Sequence, residues 1–323
     1  MRIIKDTTDF YLSGETVVAI GKFDGFHKGH ERILAKMQEV GKRGLKLAVF
    51  TFNIPPATVL HKGYPGDHRV LTTVLEKRRI FEDLSIDYLV EFPFYEKTAA
   101  ILPRDFVEDI LLHRMKAKVI VCGPDVRFGS KGAGDISLLM QYASEGAFEI
   151  QVVEKEYYAG EPISSSRIRT EILSGHMEEA NRMLSKPYMF FGEVMHGRKL
   201  GRTMGMPTIN LLPRPDKLLP GSGVYFSRVR HHDREYCGVT NIGVRPTVER
   251  NTSGEKPPVS VETYLYDFNS EIYGDDCMVF LYHFVRPEMD FGSVEALREQ
   301  LQADIAAGQK WHSEHFPAAD QRG

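Results

Sequence analysis

The stretch GKFDGFHKGH, residues 21–30, sets two histidines, an aspartate and three glycines directly after the apolar run TVVAI. His27 and His30 lie about one helical turn apart, so both imidazoles reach one side of a helix that starts here. Gly21, Gly25 and Gly29 let backbone and ligand approach closely. Three chemistries compete for such a cluster: a metal site, a turn that donates hydrogen bonds to phosphate, or an ordinary histidine-rich connection from strand to helix. Zinc needs further ligands, and no Cys or His cluster of suitable spacing supplies them. The remaining contest is between phosphate and a plain loop.

A second stretch bears on that contest. GEPISSSRIR, residues 160–169, puts Ser164, Ser165 and Ser166 directly before a helical pattern that opens with Arg167 and Arg169. Cations oppose the dipole at a helix N-terminus, so an arginine pair there implies a bound anion. The plainer reading is a serine cap followed by solvated arginines. Between the two stretches, CGPDVRFGSKGAGD (122–135) follows another apolar run, carries Asp125 and can form one wall of a pocket. Together the segments favour a nucleotide.

The C-terminal half holds a different constellation. GRKLGRTMGMPTINLLP, residues 197–213, combines glycines with three basic residues, including Lys199 and Arg202, as suits a flap over phosphates. Thr208 and Asn210 alternate on one strand face and offer two neutral oxygens to a hard cation such as magnesium. The bland alternative is a mobile basic loop running into an edge strand. In VSVETYLYDF (259–268) the apolar Val259, Val261 and Leu265 share one face, which turns Glu262 the other way with Tyr264 and Tyr266.

The elements that position these residues fall into two rhythms. From residue 16 to about 153, short strand-like runs (TVVAI, LKLAVFTF, DYLVEF, AKVIVC, EIQVVE) alternate with helical patterns, the signature of a doubly wound parallel sheet. After Pro187 the period changes to two, predicting an antiparallel barrel or sandwich closed by one helix, SVEALREQLQADIAAG, that starts at Ser293 and ends at Gly308. The boundary falls between domains 1–185 and 186–323. A net charge of −3 leaves no basic excess for nucleic acid. Three scattered cysteines, no signal-like segment and no run of eighteen apolar residues predict a cytoplasmic protein with reduced thiols and no membrane partner. Nothing in the sequence sets the oligomeric state.

GKFDGFHKGH resembles the HxGH signature of the nucleotidyltransferases, and ISSSRIR is similar to the ISSTxxR motif that completes their phosphate site. With GPDVRFG and LTTVLEKR, these segments resemble the FAD synthetase half of the bifunctional bacterial riboflavin kinase/FAD synthetase family, and residues 197–210 match its flavokinase motif GxxLGRxxGxPTxN. The resemblance runs over nearly the whole chain. It implies an α/β adenylyltransferase domain followed by a β-barrel kinase domain, making FMN and then FAD from riboflavin and Mg-ATP. It implies catalytic roles for Glu262 as base and for His27, His30 and Arg167. Nucleotide contacts are implied for Gly21, Phe23, Asp24, Gly29, Ser164, Ser165, Gly197, Lys199, Gly201 and Arg202. Thr208 and Asn210 would hold magnesium, and Asp125, Asn241 and Arg298 would line the flavin. Three departures stand out: TFNIPP, with Ile54, Pro55 and Pro56, replaces the usual TFxPHP; Val126 replaces Phe; and Ser166 replaces Thr. They leave open a riboflavin kinase with a slow or altered N-terminal domain and, more distantly, a flavin-binding regulator.

Overall fold

The computed structural model describes residues 1–54, 69–196, 206–244 and 259–317, in two compact units, Met1–Ser165 and Ser166–Gly323. Pro55, Pro56, Gly197, Lys199, Gly201 and Arg202 lie outside the described residues.

In the first unit, β1 (Arg2–Lys5), β2 (Thr16–Ile20), β3 (Lys46–Phe52), β4 (Tyr88–Phe92), β5 (Ala117–Cys122) and β6 (Glu149–Val152) form one parallel sheet in the order β1-β4-β3-β2-β5-β6. Strands β2 and β4 are buried along their whole length, as strands covered on both faces must be. Glu91 in β4 is tolerated there because the Arg78 guanidinium grips its carboxylate with two hydrogen bonds, at 2.8 and 2.6 Å. Helices Lys28–Gly41, Val74–Asp83 and Ile136–Ser144 are the expected crossovers. The stretch RDFVEDILLHRM differs: it continues from Pro103–Asp105 as a π-helix, Phe106–Arg114, which turns Phe106, Val107, Ile110 and Leu111 inward together. A small hairpin, β7 (Tyr157–Tyr158) with β8 (Glu161–Pro162), precedes the serine-rich segment.

The second unit opens with helices Ser165–Leu173 and Met177–Met183. It then closes β9 (Met189–Met195), β10 (Thr208–Leu211), β11 (Gly223–His231), β12 (Arg234–Val244), β13 (Val259–Leu265) and β14 (Asp276–Pro287) into a barrel of order β10-β13-β12-β11-β14-β9. Of the two expected architectures, barrel and sandwich, the barrel is found, and β10 is a paired stave with no free edge. Inside it Thr240 Oγ1 donates to Ser227 Oγ at 2.7 Å and shares a 2.8 Å hydrogen bond with Thr263, so the polar core residues satisfy one another. The outer face around Val224, Phe226, Val239 and Tyr266 is covered by the C-terminal helix through Ile305 and Trp311. That helix runs Val294–His315, past the end expected at Gly308. Gly308 is an interior contact: any side chain there would collide with the Tyr266 hydroxyl, so the glycine serves packing and not termination.

Candidate functional site

β2 lies between β3 and β5, so the chain leaves it toward one edge of the sheet and later returns to the other side. Open sheets of this kind take ligands beyond the carboxyl ends of the two strands at that reversal. GKFDGFHKGH follows β2 and CGPDVRFG closes β5, so both motifs open onto this crevice.

His27 caps the helix Lys28–Gly41, its Nδ1 accepting from the His30 backbone N–H at 3.3 Å. An acceptor at Nδ1 places the ring proton on Nε2, leaving a neutral donor directed away from the cap. The two imidazoles stack with centroids 3.7 Å apart. Gly29 leaves room for this, since a Cβ there would sit 3.1 Å from His27 Nδ1. Burial pushes His27 down to about 4, against a smaller upward pull from Asp125. Burial also holds His30 well below 6.5, with His27 and Lys77 adding to the effect. The His30 Nδ1 atom is buried and has no hydrogen-bond partner among the described residues. Leaving such an atom unpaired costs about 1–3 kcal/mol, which a bound ligand can offset.

The rest of the motif braces this pair. Phe23 is fully buried at φ +48° and packs between His30, 5.1 Å away, and the edge of Phe81 at 5.4 Å. Gly21 is bare where a Cβ would press on the Phe23 ring at 3.0 Å. Asp24 Oδ1 accepts from the Leu71 and Thr72 N–H groups at 2.7 and 3.0 Å, and its carbonyl accepts from Ser165 Oγ at 2.7 Å. Gly25, at φ +73°, donates its N–H to Thr72 Oγ1 at 2.9 Å. Lys77 Nζ, nearly buried, donates to the Lys22 carbonyl at 2.9 Å. Phe23 and Asp24 therefore shape the loop from within. Asp125 is exposed and paired with Lys155 at 2.9 Å, and Ser164 is exposed just before the helix Ser165–Leu173. Arg167 lies in the first turn of the helix Ser165–Leu173, and Arg169 two residues further along it.

In the barrel, the register sets Asn210 opposite Glu262 and Glu262 opposite Asn241. Directly opposed residues of antiparallel strands project from the same face, so the three side chains form one row across β10, β13 and β12. Glu262 alternates with the buried Val261 and Thr263, as the apolar pattern predicts, and Ser260 Oγ donates to its Oε1 at 3.3 Å. Asn210 Oδ1 is buried and has no hydrogen-bond donor among the described residues. Thr208 and Asn210 also line a pocket whose other wall includes Phe268, Ile272 and Tyr273. Arg298 is exposed on the C-terminal helix.

Sequence reasoning assigns no role to Thr72, Lys77 or the pocket wall 268–273. Thr73 and Glu76 form a reciprocal capping box, and that T-x-x-E spacing is a readable sign that LTTVLEKR starts a helix beside the histidine loop.

Two sites suited to phosphate chemistry on one chain define a two-unit transferase. Residues 11–167 match the FAD synthetase family, and residues 184–312 match the riboflavin kinase family. A bifunctional riboflavin kinase/FMN adenylyltransferase of Listeria monocytogenes is 36% identical over 299 residues, covering 92% of this chain and 93% of that protein. Its namesake in Bacillus subtilis is 35% identical over 292 residues, covering 90% of each. The crystal structure of a protein named as a macrolide-efflux protein from Streptococcus pneumoniae superposes with a TM-score of 0.81 at 30% identity, covering 96% of this chain and 99% of that one. No described helix of the present chain is long and apolar enough to cross a membrane. The chain belongs to the bifunctional riboflavin kinase/FMN adenylyltransferase family, and it is a transferase with both activities.

Proposed function

We propose that the barrel phosphorylates riboflavin, that the parallel-sheet unit adenylylates the FMN so formed, and that domains 1–185 and 186–323 divide the two reactions. The row Asn210, Glu262, Asn241 carries the kinase assignment. Glu262 takes the proton of the ribityl hydroxyl as its oxygen bonds to the γ-phosphorus of ATP, and ADP leaves. The donor-free Asn210 Oδ1, with the Thr208 hydroxyl on the same strand face, fits a hard oxygen-seeking cation, so these two residues would hold Mg²⁺. When bound, magnesium neutralises charge on the transferring phosphates. The pocket flanked by Phe268 and Tyr273 suits the adenine of ATP, and Asn241 and Arg298 the flavin.

In the second reaction an FMN phosphate oxygen attacks the α-phosphorus of ATP and pyrophosphate leaves. His27 offers a neutral Nε2–H donor, and His30 gains a partner for its buried Nδ1. Arg167, Ser164 and Ser165 complete the anion site, with Asp125 toward the flavin. The reading puts the enzyme in the cytoplasm, where ATP is held and where Cys122 and Cys277 stay buried free thiols.

The test is a time course with riboflavin and Mg-ATP, resolved by chromatography. Wild-type protein should make FMN first and FAD later, the TFNIPP departure slowing the second step. His27→Ala and His30→Ala should each depress FAD formation about 10²–10³-fold while sparing FMN formation. Unchanged FAD formation in both variants would return the histidines to an ordinary loop.

A further inference from the structure

At the rim of the barrel, a second group of chemically capable side chains lies outside both proposed sites. His231 ends β11, His232 follows in the turn to β12, and Asp275 immediately precedes β14. His231 Nε2 is 2.8 Å from Asp275 Oδ2, His232 Nε2 is 4.0 Å from the same oxygen, and the ligand atoms of all three lie within 4.8 Å of one another. Among the described residues this is the one such group of histidine, cysteine and carboxylate. His231 is far from the Asn241 end of the kinase row: Val224, the cross-strand partner of Asn241, sits seven residues back along β11, roughly 23 Å at 3.3 Å per residue. Asp275 is nearer the Asn210 end, because its carbonyl accepts from Val194 and Val194 pairs with Leu211.

We infer that His231, His232 and Asp275 bind a zinc ion, with water completing a tetrahedral site. Two imidazoles and one carboxylate are a set that zinc accepts and that magnesium and calcium, which take oxygen ligands, do not favour. Ligands about 2.0–2.1 Å from a tetrahedral ion lie about 3.3–3.4 Å from one another, so the spacings here bracket what zinc needs. The adjustment falls on the group best able to make it: the His232 side chain is 75% exposed, whereas that of His231 is 12% exposed.

The backbones of the other two ligands are already fixed. His231 pairs with Arg234 and Cys277 in the barrel ladder. The Asp275 carbonyl accepts from Val194 N–H at 2.9 Å, and its N–H donates to Ile272 at 3.2 Å. Asp233 and Asp276, both exposed, add negative charge on either side of the group. Zinc would fasten the β13–β14 loop to the β11–β12 turn. That loop also supplies Phe268 and Tyr273 to the pocket beside Asn210.

The test is zinc titration of the metal-stripped full chain by calorimetry, with melting followed in parallel. Wild-type protein should bind one equivalent, and zinc at a hundredfold excess over its Kd should raise the melting temperature of the barrel by about 5–10 °C. Magnesium should produce no such shift. His232→Ala, at an exposed turn position, should fold normally and lose the zinc, as should Asp275→Asn. A double variant His27→Ala/His30→Ala should keep it. The inference is overturned if wild-type protein binds no more zinc than the His232→Ala/Asp275→Asn double variant, or if the bound equivalent disappears with His27 and His30.

Discussion

The buried histidine pair makes a quantitative prediction about acid. His27 titrates near 6.5 when unfolded and is pushed down to about 4 by burial in the native loop. Between those values the unfolded chain binds the proton and the folded one does not. The stability contributed by the neutral ring is therefore complete above 6.5 and is lost as pH falls toward 4. Linkage over that interval gives about 2 kcal/mol less stability at pH 5 than at pH 7.5 from His27 alone. The cause is local: burial strips water from the charged ring, and a proton on Nδ1 would in addition remove the cap on the His30 N–H. His27→Asn keeps a capping oxygen and removes the titration. Hydrogen exchange of peptides from helix Lys28–Gly41, corrected for intrinsic rates at each pH, is the assay. Wild-type protection should fall relative to the Asn variant by about 2 kcal/mol between pH 7.5 and 5. Identical pH dependence in the two proteins would refute the reasoning, because it would mean that the ring is protonated in the native state as easily as in the unfolded one.

Other perturbations separate the two reactions and the two units. Glu262→Gln should slow FMN formation by about 10²–10⁴-fold, with FAD formation from supplied FMN unchanged; near wild-type FMN formation would remove Glu262 as base. Asn210→Ala should raise the magnesium concentration needed for half-maximal kinase rate, and an unaltered magnesium dependence would detach Asn210 from the metal. A fragment starting at Ser166 should phosphorylate riboflavin and melt higher than one starting at Ser185. Helix Met177–Met183 buries Met177, Ala180 and Met183, while Asn181 bonds the Leu281 carbonyl and the Tyr188 N–H, both at 2.8 Å. Equal melting temperatures would show that these contacts contribute nothing to the barrel.

What could be read from the sequence was what depends on local pattern. The alternation of TVVAI-like runs with helical stretches announced the parallel sheet, and the period of two announced the antiparallel half. Position relative to strand ends then marked 21–30 as the connection from β2 to the helix Lys28–Gly41. What could not be read depends on long-range register or on space. Asn210, Glu262 and Asn241 come from strands separated by whole connections, and only the pairing of β13 with β10 and β12 aligns them. Gly308 has the signature of a helix end, yet its lack of a side chain is used against Tyr266 in the helix interior. Phe23 lies within the histidine motif, and the motif does not reveal that its left-handed backbone packs the ring into the core. Strand β1, with only Ile4 of its four residues buried, is too short to announce itself.

The two sites nevertheless share one physical device. Folded proteins pair nearly all their buried polar atoms, so an unpaired one needs a reason. Among the described residues four buried side-chain atoms stand unpaired: Arg228 Nε and Tyr266 OH on the barrel, and His30 Nδ1 and Asn210 Oδ1, which each belong to a motif that resemblance assigns to phosphate or metal. Their chemistry differs in the direction expected: a ring nitrogen suits hydrogen bonding around an anion, and a carboxamide oxygen suits a cation. Both are held by neighbours that cannot readily relax toward them. His30 is wedged between the His27 stack and Phe23, and Asn210 is fixed by strand partners on both sides. Such atoms raise the free energy of the empty site without unfolding it. On the proposed reading the differential would favour the occupied state, which is what a site preorganised for its ligand requires.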